Sequence, residues 1–293
     1  MKHLKRVLCA VDIDECHRQV FAHALALARR SNASLLIVHA ASPVRPLNEG
    51  ATERVDFLRQ LHGAAEAAGV DVRVTVQRGD VADVILLHAG ARHPDLIVLG
   101  AGRDRSSGIN SIAERVAREA TCPTFVVPPI EDLRAATFAK ILCAVDLSAA
   151  SRIGAEEALR LGEHSDRRVT LFHVVEGPTA EDPSHYPWLA IHGYYRGLAA
   201  TALEQLQDLI PAPARGLVLA RVAVGNPAEE ILRTARTSKA DLLVIGAQPR
   251  SISRRLFGRT GLLLRQASCP VLAIPGPPHA RAEEPDGPRT VAA

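Results

Sequence analysis

The sequence predicts two tandem α/β domains, each built on a parallel sheet, and three observations carry that prediction. First, one stretch occurs twice. Residues 95–129, DLIVLGAGRDRSSGINSIAERVAREATCPTFVVPP, and residues 241–275, DLLVIGAQPRSISRRLFGRTGLLLRQASCPVLAIP, share an acid, an apolar run, a Gly-led polar loop, an amphipathic segment, Cys-Pro and a second apolar run. Second, the short apolar runs between turn signals suit strands buried on both faces, whereas SIAERVAREA and TGLLLRQA carry apolar residues at helical spacing. Strand, loop, helix and strand in succession make a parallel pair with a helical crossover. Third, 47% of the residues are hydrophobic and only 3% aromatic, so the cores are built from Ala, Val, Leu and Ile, as helix-on-parallel-sheet packing prefers. A length of 293 residues independently suggests about two domains.

In chain order, RVLCAVDID is the first strand, ending at Asp12 and Asp14. HRQVFAHALALARRS follows as a helix with Phe21, Ala24, Leu25 and Ala28 on one face. Asn32 leads into the strand LLIVHA, and the Pro- and Gly-rich SPVRPLNEG precedes a long helix from about Thr52 to Ala68. VDVRVTVQRG alternates apolar and polar residues, as an edge strand with one wet face does. Gly79-Asp80 opens the next helix, VADVILLHAGA, with Asp80 as its N-cap. DLIVLG then leads into the repeated stretch, and the unit is β-α-β-α-β-α-β-α-β.

KILCAVDLSAASRIGAEEALRLGEH and RVTLFHVVEG repeat the opening elements, with Asp146 matching Asp12, Gly225 matching Gly79 and Asp241 matching Asp95. The spacing lengthens after the second strand, which places an insertion at about residues 177–200, around EDPSHYPWLAIHGYY. It holds the lone Trp and all three Tyr of the chain, and reads either as a partner or ligand surface or as a helix-capping loop packing its own aromatics. The expected domains are 1–130 and 139–276, joined by a linker at 131–138, with a disordered Pro- and charge-rich tail at 277–293.

A formal charge of +3 is too small to argue for a nucleic-acid partner, and no apolar run reaches the roughly 18 residues that span a bilayer. KHLKRVLCAVDID lacks the long apolar region of a signal peptide, so the expected location is cytoplasmic. Cys9 and Cys143 recur inside strands, and Cys122 and Cys269 before prolines, as small core residues rather than a disulfide framework. Cys16 has no counterpart. Packing explains His39 and His173 better than metal binding does, and His185 and His192 lie too far apart along a helix to share one zinc ion. No nucleophile with a nearby base, no metal-ligand spacing and no carboxylate pair argues for an enzyme.

The repeated unit resembles the universal stress protein family in its tandem form. The resemblance is carried by VLCAVDID and ILCAVDLSAAS, LLIVHA and LFHVV, RGDVADVI and VGNPAEEI, DLIVLG and DLLVIG, and CPTFVVPP and CPVLAIPG. It covers about residues 4–130 and 139–276. It implies doubly wound domains, each a five-stranded parallel sheet in order 3-2-1-4-5 with helices on both faces. It further implies that the two domains pair through their last strands, with a homodimer of the chain left open. Many members bind ATP, with the aspartate ending strand one near adenine and ribose and a G-x2-G-x9-G-S/T loop on the phosphates.

Glycines let backbone amides approach phosphate oxygens, and a following helix N-terminus adds free N–H donors, so such a loop needs no lysine. No G-x4-G-K-S/T is present, which argues against a P-loop ATPase. Both loops depart from the family pattern. In the first half Gly100 is kept, Arg103 stands at the second glycine, and Asn110-Ser111 takes the final Gly-Ser, with Gly102 and Gly108 as partial replacements. In the second half Gly246 is kept, Pro249 removes a backbone donor, and Gly258-Arg259-Thr260 takes the last position beside Arg250, Arg254 and Arg255. Val174 matches the family's adenine-packing position, where the first half has the smaller Ala40.

The nucleotide-site candidates are therefore Asp146, Val174, Gly246, Gly258, Arg259 and Thr260, then Asp12, Gly100, Gly102, Asn110 and Ser111. Either aspartate reads equally as a helix cap. The expected function is adenine-nucleotide binding, ATP with or without Mg, with little or no hydrolysis. The alternative is an interaction protein of the same fold, acting through an unknown protein partner after its loops have decayed.

Overall fold

The structure is a computed structural model that describes residues 4–13, 17–41, 51–102, 112–129, 138–163, 167–177, 188–247 and 257–277. The first half runs β1 (Arg6–Ala10), α1 (His17–Ser31), β2 (Ser34–Ala41), α2 (Ala51–Ala67), β3 (Val72–Arg78), α3 (Val81–Arg92), β4 (Leu96–Gly100), α4 (Ile112–Glu119) and β5 (Thr124–Val127). The second runs β6 (Lys140–Ala144), α5 (Ala149–Gly162), β7 (Arg168–Glu176), α6 (Trp188–Asp208), β8 (Val218–Gly225), α7 (Pro227–Thr237), β9 (Leu242–Ala247), α8 (Phe257–Gln266) and β10 (Val271–Pro275).

The strands form one ten-stranded sheet ordered β3-β2-β1-β4-β5-β10-β9-β6-β7-β8. Each half is parallel throughout and reads 3-2-1-4-5, as the resemblance implies. The halves join where β5 meets β10 antiparallel, with Phe125 directly opposite Leu272. Those two residues are equivalent positions of the repeat, two after each Cys-Pro, so a pseudo-two-fold axis passes between them.

Alternation along the strands sends neighbouring residues to opposite faces, and each face is covered by helices. Val7 and Cys9 join one core with α1, α2, α5 and α6. Leu8 joins the other with α3, α4, α7 and α8. Both cores run unbroken through β5 and β10, so the halves share their apolar interior. Phe125, fully buried, stands at this seam with its ring centroid 5.6 Å from His23 and 5.9 Å from Phe138. Phe138, counted in the linker from sequence, is buried to 2% exposure.

Local chemistry explains the recurring motifs. Asp95 accepts the Lys5 and Arg6 amides at 2.7 and 2.8 Å, and Asp241 accepts those of Ala139 and Lys140 at 2.7 and 2.9 Å. The acid that opens each repeat thus ties the amino end of strand one to strand four. Asp80 caps α3 through the Ala82 and Asp83 amides, and Asn226 caps α7 through those of Ala228 and Glu229. Gly79 and Gly225 precede these caps at φ 154° and 152°, outside the range that side chains readily adopt. Cys9, Cys143 and Cys269 are buried, and Cys122 is half-buried. Burial pushes the thiols of Cys143 and Cys269 up to about 12 and that of Cys122 up to about 11. Cys16 lies outside the described residues.

Candidate functional site

The carboxyl ends of β6, β7 and β9 enclose a cavity of about 540 Å³. Its size lies within the usual range for small-molecule sites, and its position is where open parallel sheets receive ligands. In the β6–β7 ladder Ala144 stands opposite Phe172. Asp146 and Val174, each two residues further on, therefore reach the rim at the same height, and both line the cavity. Gly246 lines it from the end of β9, one residue past Ile245, which pairs with Ala144. Thr260 joins from α8.

The Asp146 carboxylate accepts the Ser148 amide at 3.0 Å. It does not cap α5; Ser148 does, accepting from the Ser151 amide at 3.3 Å. This turn holds Leu147 at φ 63°, a left-handed conformation uncommon for a branched apolar residue, and so directs the strand-one aspartate at the cavity rim. Ser151, 1% exposed, binds the Ser148 carbonyl at 3.1 Å through its hydroxyl and also lines the cavity. His173 donates Nδ1–H to the Val145 carbonyl at 2.7 Å, which fixes the residue before Asp146. His39 does the same to the Val11 carbonyl at 3.0 Å, next to Asp12. Among the described residues no group of His, Cys, Asp and Glu could hold a metal ion.

Gly246 has a structural reason to be glycine. A Cβ there would lie 2.6 Å from the Ser151 amide and 2.9 Å from the Ala150 carbonyl carbon, so the start of α5 occupies its space. Gly258 and Arg259 open α8. Pro249, Arg250, Arg254 and Arg255 lie outside the described residues, as do His185 and, in the first half, Arg103, Gly108, Asn110 and Ser111. Of the first-half candidates, Asp12 is exposed and accepts the Ile13 amide at 2.8 Å, while Gly100 ends β4 and Gly102 follows at φ 80°, where no described residue would meet an added Cβ. Asp12 and Gly100 stand at the ends of adjacent paired strands, as Asp146 and Gly246 do.

One wall is not visible from motifs. α6 contributes Leu198, Thr201, Ala202 and Gln205, which recur every three to four residues and so share one helix face. The spacing alone reads as an ordinary packing stripe, and only the crossing of α6 over β7 and β8 turns it to the cavity. From Trp188 onward the inserted segment is this helix rather than a loop, 21 residues long against 17 for α2. Tyr194 and Tyr195 meet edge to face at 5.4 Å, with Tyr194 64% exposed.

The model of the universal stress protein family matches residues 3–128 and 137–275. The chain belongs to the universal stress protein family. Two matched segments make it a tandem member, in agreement with the paired sheets. A universal stress protein of Methanocaldococcus jannaschii is 28% identical over 144 residues, spanning 48% of this chain and 84% of that protein. Two solved structures share the fold over most of the chain. A universal stress protein from Archaeoglobus fulgidus has a TM-score of 0.72 at 16% identity, covering 94% of this chain and 98% of that one. A putative universal stress protein from Pseudomonas aeruginosa has a TM-score of 0.63 at 18% identity, covering 94% of both chains. Among the described residues no helix is long and apolar enough to cross a membrane.

Proposed function

We propose that this universal stress protein binds an adenine nucleotide, ATP with magnesium, in the second-half cavity and uses its occupancy as a signal, with little or no hydrolysis. The observation that carries the reading is the convergence of Asp146, Val174, Gly246 and Thr260 on one cavity of about 540 Å³. The lining suits such a ligand. Phe172, Val174, Ile231 and Leu263 offer apolar surface to a flat base, and Asp146 offers an acceptor to ribose hydroxyls. Gly258, Arg259 and Thr260 sit in the first turn of α8, where free backbone N–H groups favour phosphate. Among the described lining residues there is no cysteine and no lysine, and the Ser151 hydroxyl is engaged in the α5 cap, which fits binding with little or no hydrolysis. Asp12, Gly100, Gly102, Asn110 and Ser111 form the corresponding, weaker site in the first half under this proposal.

Calorimetric titration with ATP and magnesium tests it, on the wild type and on Asp146→Ala and Asp12→Ala. Binding lost in Asp146→Ala and kept in Asp12→Ala supports the assignment, and the reverse moves the site to the first half. No heat at millimolar ATP overturns nucleotide binding. It would favour the second reading, an interaction protein whose contact surface is α6 around the exposed Tyr194.

A further inference from the structure

We propose that the opposite, amino edge of the first half carries a separate site for a small anion of pyrophosphate chemistry, formed by Arg6, Arg73 and Arg92. The three side chains line one groove of about 360 Å³, together with Ser34 and a single carboxylate, Asp71. Their common placement follows from register. Leu8 packs into the core beneath α3 and α4, and Arg6, two residues earlier on β1, is on the same face. Arg73 on β3 stands opposite Leu36, which packs against that core as well. Arg92 ends α3, the helix covering this face. Three guanidinium groups on one groove therefore come from three different elements.

Among the described residues none of these three guanidinium groups has an acidic partner. Three arginines and one aspartate line the groove, and the Asp95 carboxylate beside it is taken up by the Lys5 and Arg6 amides; arginine forks match phosphate oxygens in pairs. The C-terminal end of α3 adds partial negative charge, which Arg92 offsets, so the arginines and not the helix supply the attraction.

The duplicated fold provides its own control. At the equivalent places the second half carries Lys140, Leu219 and Ser238, on the same strand order and the same helix end. The architecture thus has no need of arginine at these positions. Arg73 alone has a second explanation, since a charge on an edge strand discourages pairing with other chains. That explanation does not reach Arg6, on the interior strand β1, or Arg92, on a helix.

The test is calorimetric titration of the full chain with sodium pyrophosphate at about 0.1 M salt, with sodium sulfate as the comparison anion. The variants are Arg73→Leu with Arg92→Ser, which install the second-half residues at exposed positions, and Asp146→Ala. We expect pyrophosphate binding in the wild type and in Asp146→Ala, with at least a tenfold loss in the double variant, the order expected when charge-assisted forks are removed. Far-ultraviolet circular dichroism checks that the double variant is folded. The proposal is overturned by no pyrophosphate binding at about 10 mM, by binding that the double variant retains, or by sulfate binding of equal strength. Repeating the pyrophosphate titration on protein saturated with ATP and magnesium separates this site from the phosphate end of the nucleotide cavity, and only pyrophosphate binding that persists there counts for it.

Discussion

The carboxylate of Glu114, on α4 of the first half, lies 3.7 Å from the guanidinium of Arg265, on α8 of the second. Arg118, one turn along α4, lies 3.5 Å from the same carboxylate, and the Glu114 side chain is only 2% exposed. By the repeat, Arg118 and Arg265 are equivalent positions about the pseudo-two-fold axis, whereas Glu114 has Gly261 as its counterpart. A Cβ on Gly261 would lie 2.7 Å from the Glu114 carboxyl carbon. One half supplies a single acid for two symmetric arginines, and the other supplies the space for it. A glutamate at both positions would place two carboxylates in one space at the axis.

Glu114→Ala should therefore destabilise the chain by about 3–5 kcal/mol, because it leaves the buried Arg118 guanidinium and the half-buried Arg265 one without this countercharge. Replacing Glu114, Arg118 and Arg265 together by Met or Leu should cost far less than the single change. Urea unfolding of the two variants checks the contrast, which a merely local role for Glu114 would not produce.

Gly261→Ala should destabilise the wild type by about 1–3 kcal/mol, since the carboxylate must move out of its ion pairs. In the Glu114→Ala background the carboxylate is gone and only the flexible end of Arg265, 3.2 Å from such a Cβ, must give, so the same substitution should be neutral or gain up to about 1 kcal/mol from helix propensity. A double-mutant cycle measures the coupling; additive effects would refute the contact.

Acid should weaken the fold partly through histidine. Burial holds the His23 imidazole below its ordinary value, and His88 is held down by burial first and then by the charge of Arg92. Below about pH 6.5 the unfolded chain takes up protons that the folded chain refuses. The stability these groups contribute is thus complete above that pH and is lost as pH falls toward their depressed folded values. His23→Leu should flatten the fall of the urea midpoint between about pH 6.5 and 5. An unchanged slope would show that His23 accepts its proton in the folded state.

Thr201→Trp should block the cavity from the α6 side. Thr201 is exposed yet lines the cavity, so the change should abolish ATP binding while shifting stability by no more than about 0.5 kcal/mol. Retained binding would place the ligand outside the cavity.

Asn226→Ala should cost about 1 kcal/mol, as the loss of an N-cap that serves two amides of α7. Asp80→Ala should cost about the same, because its additional ion pair with Arg115 lies at the surface and is worth little. Thermal unfolding of both variants tests whether the two halves use the cap equivalently.

The order of strands and helices was legible because each element leaves a local record. Apolar runs such as LIVLG and LLVIG mark strands buried on both faces, Gly79-Asp80 and Gly225-Asn226 mark helix starts, and the repetition doubles every signal. Asp146 was legible as a rim residue for the same reason, since an acid at a strand end is a local feature, whereas Val174 was named only through the family resemblance. By itself, then, the sequence determined two doubly wound halves and the edge at which to look for a ligand. Tertiary structure alone decided the rest. The facing of Phe125 and Leu272, the sharing of Glu114 between Arg118 and Arg265, the α6 wall of the cavity and the gathering of Arg6, Arg73 and Arg92 each join residues far apart in the chain. Such meetings are set by how the sheet closes and the helices cross, and periodicity, which records only which face a residue is on, carries no trace of what that face will touch.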